Sequence, residues 1–359
     1  MHRIHRQNVL NCAKKRFGCD TIAAFSPENI FYLTGFWGEG IAVTNEEMKT
    51  VLITPKLEKD RAINTSNDCD VVTAERGSKL ISQFLLTVKK KKTCIDFLDH
   101  SNFETLRRRV NNPRGLLQSS KPFYDARMIK DENEISSISR AAAILDELYE
   151  VCIEKIKEGL SERQLQATLI YHALNMGACP PSYRGTLDPL IIAGGPNGAQ
   201  PHAQISDRKF ESGDMVIVDL TLRHEGYIAD ATRTFGLGPI SPDKKKVYEV
   251  VRDAQEAGVR AVSEAKPCGD IDHACRQIIH NSGFNDSFVH ATGHGIGLEV
   301  HEPPWIREKD KQKLRNNMSI TVEPGIYIQD RFGVRIEDSV VVRSNEKSLC
   351  QFTKELIIK

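Results

Sequence analysis

Four acidic side chains stand inside apolar, β-branched runs in the C-terminal half of this chain, and they constrain its folding more than any other feature. Met215-Val216-Ile217-Val218-Asp219-Leu220 and Tyr227-Ile228-Ala229-Asp230-Ala231-Thr232 read as two strands separated by His224-Glu225-Gly226. An antiparallel pair centred between His224 and Glu225 would make Asp219 and Asp230 direct cross-strand neighbours, with Cβ atoms about 4.5–5.5 Å apart. A second pair repeats the arrangement. Ser319-Ile320-Thr321-Val322-Glu323 and Val334-Arg335-Ile336-Glu337 flank the turn Gln329-Asp330-Arg331-Phe332-Gly333, and a hairpin centred at Asp330 sets Glu323 opposite Glu337. Like charges this close repel, and desolvation adds to the cost. Divalent cations offset both, and four carboxylates can bridge two ions about 3.5–4 Å apart.

A third element joins them. His290-Ala291-Thr292-Gly293-His294-Gly295-Ile296-Gly297 carries histidines four residues apart. On a helix that spacing would suggest zinc. Three glycines argue instead for a tightly turning loop in which backbone approaches a metal or ligand closely. His301 adds a third imidazole nearby.

At 359 residues the chain has room for about two domains. Residues 1–125 alternate short apolar runs, Ile22–Phe25, Ile41–Val43, Val51–Ile53 and Thr93–Asp96, with helical stretches over Leu80–Val88 and Phe103–Val110. The run Asn111–Gly115 and the following Ser119–Pro122 are predicted as a linker. Residues 126–359 then open on amphipathic helices over Asp131–Gly159 and, behind a capping-box pattern at Ser161, as far as Met176. Two more helices are expected over Lys244–Ala265 and Ile271–Ser282.

Charge is balanced, 49 basic against 48 acidic residues, so no electrostatic footprint points to nucleic acid or a membrane surface. The Lys89–Lys92 cluster reads as a solvated turn between strands. The basic N-terminus leads into no apolar core of signal length, and no apolar run reaches the roughly 18 residues of a membrane span. Nine scattered cysteines without a C-x-x-C pair read as reduced thiols of a cytoplasmic protein.

Together these motifs resemble the pita-bread metallopeptidases, the superfamily of methionine aminopeptidase, aminopeptidase P, prolidase and creatinase. The matching pieces are Asp219 with Tyr227–Thr234, His290–Gly297, Val322–Tyr327, Gly333–Asp338 and Pro201-His202-Ala203. In the N-terminal part, Asn29–Phe36 is similar to the creatinase and prolidase N-terminal domain. The resemblance implies an α+β fold, with a pita-bread catalytic domain behind a smaller α/β creatinase-type domain. It also implies two divalent metal ions, Mn²⁺ or Co²⁺ with Zn²⁺ also compatible, held by Asp219, Asp230, His294, Glu323 and Glu337.

By the same resemblance, Asp230 and Glu337 bridge the ions, and a water shared between them becomes the nucleophile. Glu323 carries a proton to the leaving nitrogen. His301 and His290 bind substrate and steady the oxyanion, and His202 contacts substrate from the opposite wall. Arg335 balances the carboxylates, and Thr232 hydrogen-bonds a bridging one. The activity implied is cleavage before proline in Xaa-Pro dipeptides by a homodimer. The aromatics Phe31-Tyr32 and Phe36-Trp37 would wall off longer substrates, or would be ordinary core. Trp305 stands near the place where such prolidases carry an arginine for the dipeptide carboxylate, with Arg307 or Arg184 as replacements. Three alternatives stay open: an Xaa-Pro aminopeptidase acting on longer peptides, a metal-free non-peptide hydrolase, and a non-catalytic binding member of the fold.

Overall fold

A computed structural model describes the whole chain except Lys90, 99–103, Thr105, 107–114, 183–189 and 344–347. It divides into two compact units, Met1–Arg127 and Met128–Lys359.

The first unit is built on a six-stranded mixed sheet. Its elements run α1 (His2–Phe17), β1 (Thr21–Ala24), α2 (Pro27–Thr34), β2 (Ile41–Asn45), β3 (Thr50–Pro55), α3 (Lys59–Thr65), β4 (Asp70–Ala74), α4 (Ser78–Val88), β5 (Thr93–Ile95), β6 (Leu116–Gln118) and α5 (Lys121–Arg127). Strand order is β4-β3-β2-β1-β5-β6. Ile41, Ile53, Leu80, Phe84 and Ile95 form its core. Buried Asp96 ties β1 to α2, accepting from the Phe25 and Ser26 amides and from Asn29 Nδ2.

Helix α1 was not expected, because its buried face includes polar residues. Arg6 is fully buried and donates to the carbonyls of Leu33 and Asp68 at 2.6 and 2.7 Å. The predicted linker is partly structured: Leu116–Gln118 adds an edge strand and Lys121-Pro122 opens α5, since proline is tolerated in a first helical turn. Residues 111–114, and most of the helix read over Phe103–Val110, lie outside the described residues. The lysines after Val88 follow a helix rather than a strand. Tyr32 and Phe36 are core, whereas Phe31 and Trp37 are half-buried with ring centroids 5.4 Å apart.

The second unit opens on α6 (Glu132–Lys155), capped by a reciprocal Asp131–Glu134 box, and α7 (Glu162–Asn175), capped likewise by Ser161 and Gln164. The remaining elements are β7 (Leu190–Gly194), β8 (Met215–His224), β9 (Tyr227–Gly236), α8 (Pro242–Ala261), α9 (Cys268–Asn281), β10 (Gly293–Gly295), β11 (Glu302–Ile306), β12 (Ser319–Val322), β13 (Gly325–Ile328), β14 (Phe332–Arg335) and β15 (Asp338–Val341). They form three sheets, β7-β8-β9, β11-β10-β12-β15 and β13-β14. Val247, Val251, Ile271, Ile320, Val322 and Val340 share the core under α8 and α9. Among the described residues no helix is long and apolar enough to cross a membrane.

The β8–β9 register differs from the sequence expectation by two residues. Asp219 pairs with Thr232, and Thr221 with Asp230. The cause is the turn. Glu225 and Gly226 both have positive φ, 48° and 89°, which makes a two-residue hairpin loop between paired His224 and Tyr227. Asp219 and Asp230 are therefore diagonal neighbours on one face. The second hairpin keeps the expected register. Gly325 pairs with Arg335 and, beyond a gap, Val322 with Asp338. Glu323-Pro324 and Ile336-Glu337 occupy the gap; Pro324 has no N–H to give the ladder there.

Candidate metal centre

The two hairpins meet at one bridge. Thr232 and Glu337 exchange backbone hydrogen bonds at 3.0 and 3.4 Å. Ser339 Oγ accepts from the Asp230 amide and donates to the Asp230 carbonyl. Tyr149, from α6, donates to the Ala231 carbonyl at 2.6 Å. The segment 230–232 is thus held from both sides, and the sequence-predicted acids converge. One ligand atom each from Asp230, His294 and Glu337 lies within 4.8 Å of the others. Asp219 and Glu323 line the same cavity, of about 180 Å³, with His202, His290, His301, Trp305 and Ile191.

The electrostatics are those of negative charge crowded out of water. Burial pushes the Asp230 and Glu337 carboxyls well above the usual carboxylate range, and neighbouring carboxylates add to it. Glu323 is pushed up to about 7, chiefly by burial, with Asp219 adding and Arg335 opposing. Glu337 Oε2 accepts from Thr232 Oγ1 at 2.8 Å, while its Oε1 is buried with no hydrogen-bond partner among the described residues. Asp230 accepts from Thr221 at 2.9 Å. His294 Nδ1 bonds its neighbouring Gly295 carbonyl, leaving Nε2 3.3 Å from Glu323 Oε1. An unpartnered buried carboxylate oxygen among four acids and one imidazole fits hard or borderline divalent cations.

Arg335 supplies the permanent positive charge. Its guanidinium donates to Asp219 Oδ2 at 2.5 Å, Tyr327 Oη at 2.7 Å, the Pro201 carbonyl at 3.2 Å and Thr232 Oγ1 at 3.3 Å. Tyr327 in turn donates to His290 Nε2 at 2.9 Å, because His290 Nδ1 donates to the Ala291 carbonyl. Burial lowers His290 to about 3, so the ring is neutral. Both its nitrogens are engaged within the protein. His301 stands against His294, ring centroids 4.2 Å apart, and near Trp305 at 6.4 Å.

The glycines of the 290–297 segment allow close backbone approach. A Cβ on Gly293 would lie 2.0 Å from the Thr321 carbonyl oxygen, and one on Gly295 2.3 Å from that of Pro303. They admit neighbouring strand backbone, Gly293 also lines the cavity, and Gly293–Gly295 forms the short strand β10. Three supports had been given no role by the sequence: Thr221, Tyr327 at the end of a matching motif, and Asp272, which accepts from Thr292 while Arg276 bridges it to the His290 carbonyl. A Thr two residues past a candidate ligand was the only available hint for Thr221. Arg184 lies outside the described residues. Arg307 is exposed and pairs with Asp310 at 3.3 Å.

Comparison with known proteins agrees with this geometry. The model of metallopeptidase family M24 matches residues 136–344, and that of the creatinase/prolidase N-terminal domain matches residues 8–129. An Xaa-Pro dipeptidase of Pyrococcus horikoshii is 34% identical, with 94% of each chain covered. The solved structure of an Xaa-Pro dipeptidase from Bacillus anthracis superposes with TM-score 0.92 at 29% identity over 100% of both chains. That of an X-Pro aminopeptidase from Thermotoga maritima does so with TM-score 0.85 at 29% identity, covering 97% of this chain and 99% of its own. This chain belongs to metallopeptidase family M24. It has the two-domain arrangement of a creatinase-type N-terminal domain and a pita-bread peptidase domain, and is a metal-dependent hydrolase of peptides.

Proposed function

We propose that the chain is a dinuclear-metal exopeptidase that hydrolyses the peptide bond before proline in Xaa-Pro dipeptides. The observation that carries this reading is the convergence of Asp230, His294 and Glu337, with the unpartnered Glu337 oxygen among them, on a cavity also lined by three further histidines. The kinship with Xaa-Pro dipeptidases supports the substrate class. Asp219, Asp230, His294, Glu323 and Glu337 would hold the ions, for which oxygen-rich ligation suits Mn²⁺ or Co²⁺, with Zn²⁺ also compatible. Bound ions of this kind polarise a carbonyl and make water acidic enough to attack it near neutral pH.

The chain's own residues do the rest. Glu323, its oxygen steadied by Thr321 at 3.2 Å, moves a proton to the leaving nitrogen. Arg335 holds Asp219 and, through Tyr327, the orientation of His290. His301 and His202 face the peptide from the cavity walls. A cytoplasmic homodimer remains our expectation for the protein in the cell.

A second reading has its own support. Trp305 lines the cavity, and Arg307 is engaged with Asp310, so a dipeptide's free carboxylate would need another cation. The Thermotoga neighbour bears the name of an X-Pro aminopeptidase. Comparing kcat/KM for Ala-Pro, Ala-Pro-Ala and Ala-Ala on Mn²⁺-loaded enzyme decides between the readings. Ala-Pro is expected to win. A tripeptide preference of about tenfold or more, roughly 1.4 kcal/mol, installs the aminopeptidase reading, and equal cleavage of Ala-Ala removes proline specificity.

A further inference from the structure

His202 is exposed, and no strand holds it. It sits in the segment between β7 and β8, after the short helical turn Gly195–Ala199. What fixes that segment is a side chain on another element. Glu162, the first residue of α7, is fully buried. Its Oε1 accepts from the Gly194 amide at 2.9 Å, and its Oε2 accepts from Asn197 Nδ2 at 2.8 Å and from Ser206 Oγ at 2.6 Å. Asn197 also donates to the Gln204 carbonyl at 3.2 Å. One carboxylate therefore gathers positions eight and five residues before His202 and four after it, closing the segment into a loop with the imidazole near its tip. On the opposite side, Arg335 donates to the Pro201 carbonyl, which ties the same loop to the Asp219 end of the site. A hairpin contact completes the seating, since Gly333 has no Cβ and one there would lie 2.0 Å from the Gly198 carbonyl oxygen.

We infer that Glu162 is a positioning residue for His202: it acts on substrate through the loop and not on the metal ligands. Charge-assisted hydrogen bonds to a buried carboxylate are stronger than neutral ones, and among the described residues those that Glu162 accepts end on this loop, at Asn197 and Ser206, or on Gly194 where it leaves β7. None of its bonds reaches Asp219, Asp230, His294, Glu323 or Glu337. Losing the carboxylate should let His202 wander while the ion cluster stays intact. The inference rests on the peptidase reading for its kinetic consequence only.

The test is a double-mutant cycle on Mn²⁺-loaded full-length protein, using wild type, Glu162→Gln, His202→Ala and the pair, with Ala-Pro as substrate. Displacing a substrate-positioning group by an ångström can cost about 10²-fold. Glu162→Gln is therefore expected to lower kcat/KM by about tenfold or more, mainly through KM. In the His202→Ala background the same change should cost less than about twofold, because non-additivity marks residues acting as a unit. Mn²⁺ affinity by calorimetry should stay unchanged. An undiminished loss in the His202→Ala background, or Mn²⁺ affinity falling in step with kcat/KM, overturns the inference. Ser206→Ala removes a single bond at the edge of the clamp and carries the same cycle if Glu162→Gln does not fold. If wild type cleaves none of the Xaa-Pro substrates, the peptidase reading fails separately. Amide exchange then decides the clamp: faster exchange across 195–205 in Glu162→Gln supports it, and unchanged exchange refutes it.

Discussion

Glu323 is the residue whose surroundings say most about its task. It is the acid of the cluster with the best access to the cavity alongside Asp219, its side chain 19% exposed. Thr321 steadies one oxygen, and burial pushes the carboxyl up to about 7. A carboxyl that reaches the cavity with one oxygen steadied is placed for general acid–base work. Glu323→Gln keeps the volume and the Thr321 contact but cannot carry the proton. We expect kcat to fall at least about 10²-fold with the fold, read by circular dichroism and melting, preserved. A near-normal kcat at normal metal content would assign the proton to another group. Thr232 and Thr221 act beside it as donors, each placing a hydroxyl on one oxygen of a buried acid, Glu337 and Asp230 respectively.

At the scale of elements, close backbone approach organises the site. Strand β10 lies between β11 and β12 because Gly293 and Gly295 leave no Cβ in the way. Gly293→Ala would drive a methyl into the Thr321 carbonyl, which backbone cannot yield cheaply. The expected cost is about 1–3 kcal/mol or more, read as a lower urea midpoint at unchanged m-value, and an unaltered midpoint would mean that β10 has slack. This is also where sequence reading reached its limit. The apolar, β-branched runs gave the strands that carry Asp219 and Asp230 and those that flank Glu323 and Glu337, and the Ser161 pattern gave the start of α7. The pairing of β8 with β9 depended on whether Glu225 and Gly226 both take positive φ, and nothing in His224-Glu225-Gly226 decides that. Helix α1 escaped because its buried face includes His5 and Arg6, whose polarity hides an interior position. Glu162 escaped because its partners lie more than thirty residues away.

For the molecule as a whole, the five candidate ligands come from separate segments between Asp219 and Glu337, so an ion bound there ties distant parts of the second unit together. Binding only the folded state stabilises it by RT ln(1 + [L]/Kd), about 2.7 kcal/mol at a hundredfold excess over Kd. Chelator treatment is expected to abolish Ala-Pro hydrolysis and to lower the melting transition of the second unit by roughly 5–10 °C, with Mn²⁺ or Co²⁺ restoring both. Full activity in protein shown by elemental analysis to be metal-free would end the dinuclear proposal. Arg233 reinforces this from behind the site. Fully buried, it donates to the Thr232 and Glu337 carbonyls, to Asp338 and to the Phe352 and Thr353 carbonyls, so the C-terminal segment braces Glu337.

The β12–β13 and β14–β15 ribbon holds one register on both sides of its gap. Glu323 and Glu337 are therefore spaced by ladders above and below them, as the teeth of a comb are spaced by its spine. The tip at Gln329–Arg331 reaches them through β13 and β14, and its Arg331 pairs on the surface with Asp243 of α8. Change can accumulate there without reaching the acids, whereas a single residue gained or lost inside either ladder would turn one glutamate to the opposite face. The ribbon tolerates change more readily at its tip than at the notch that holds the two glutamates.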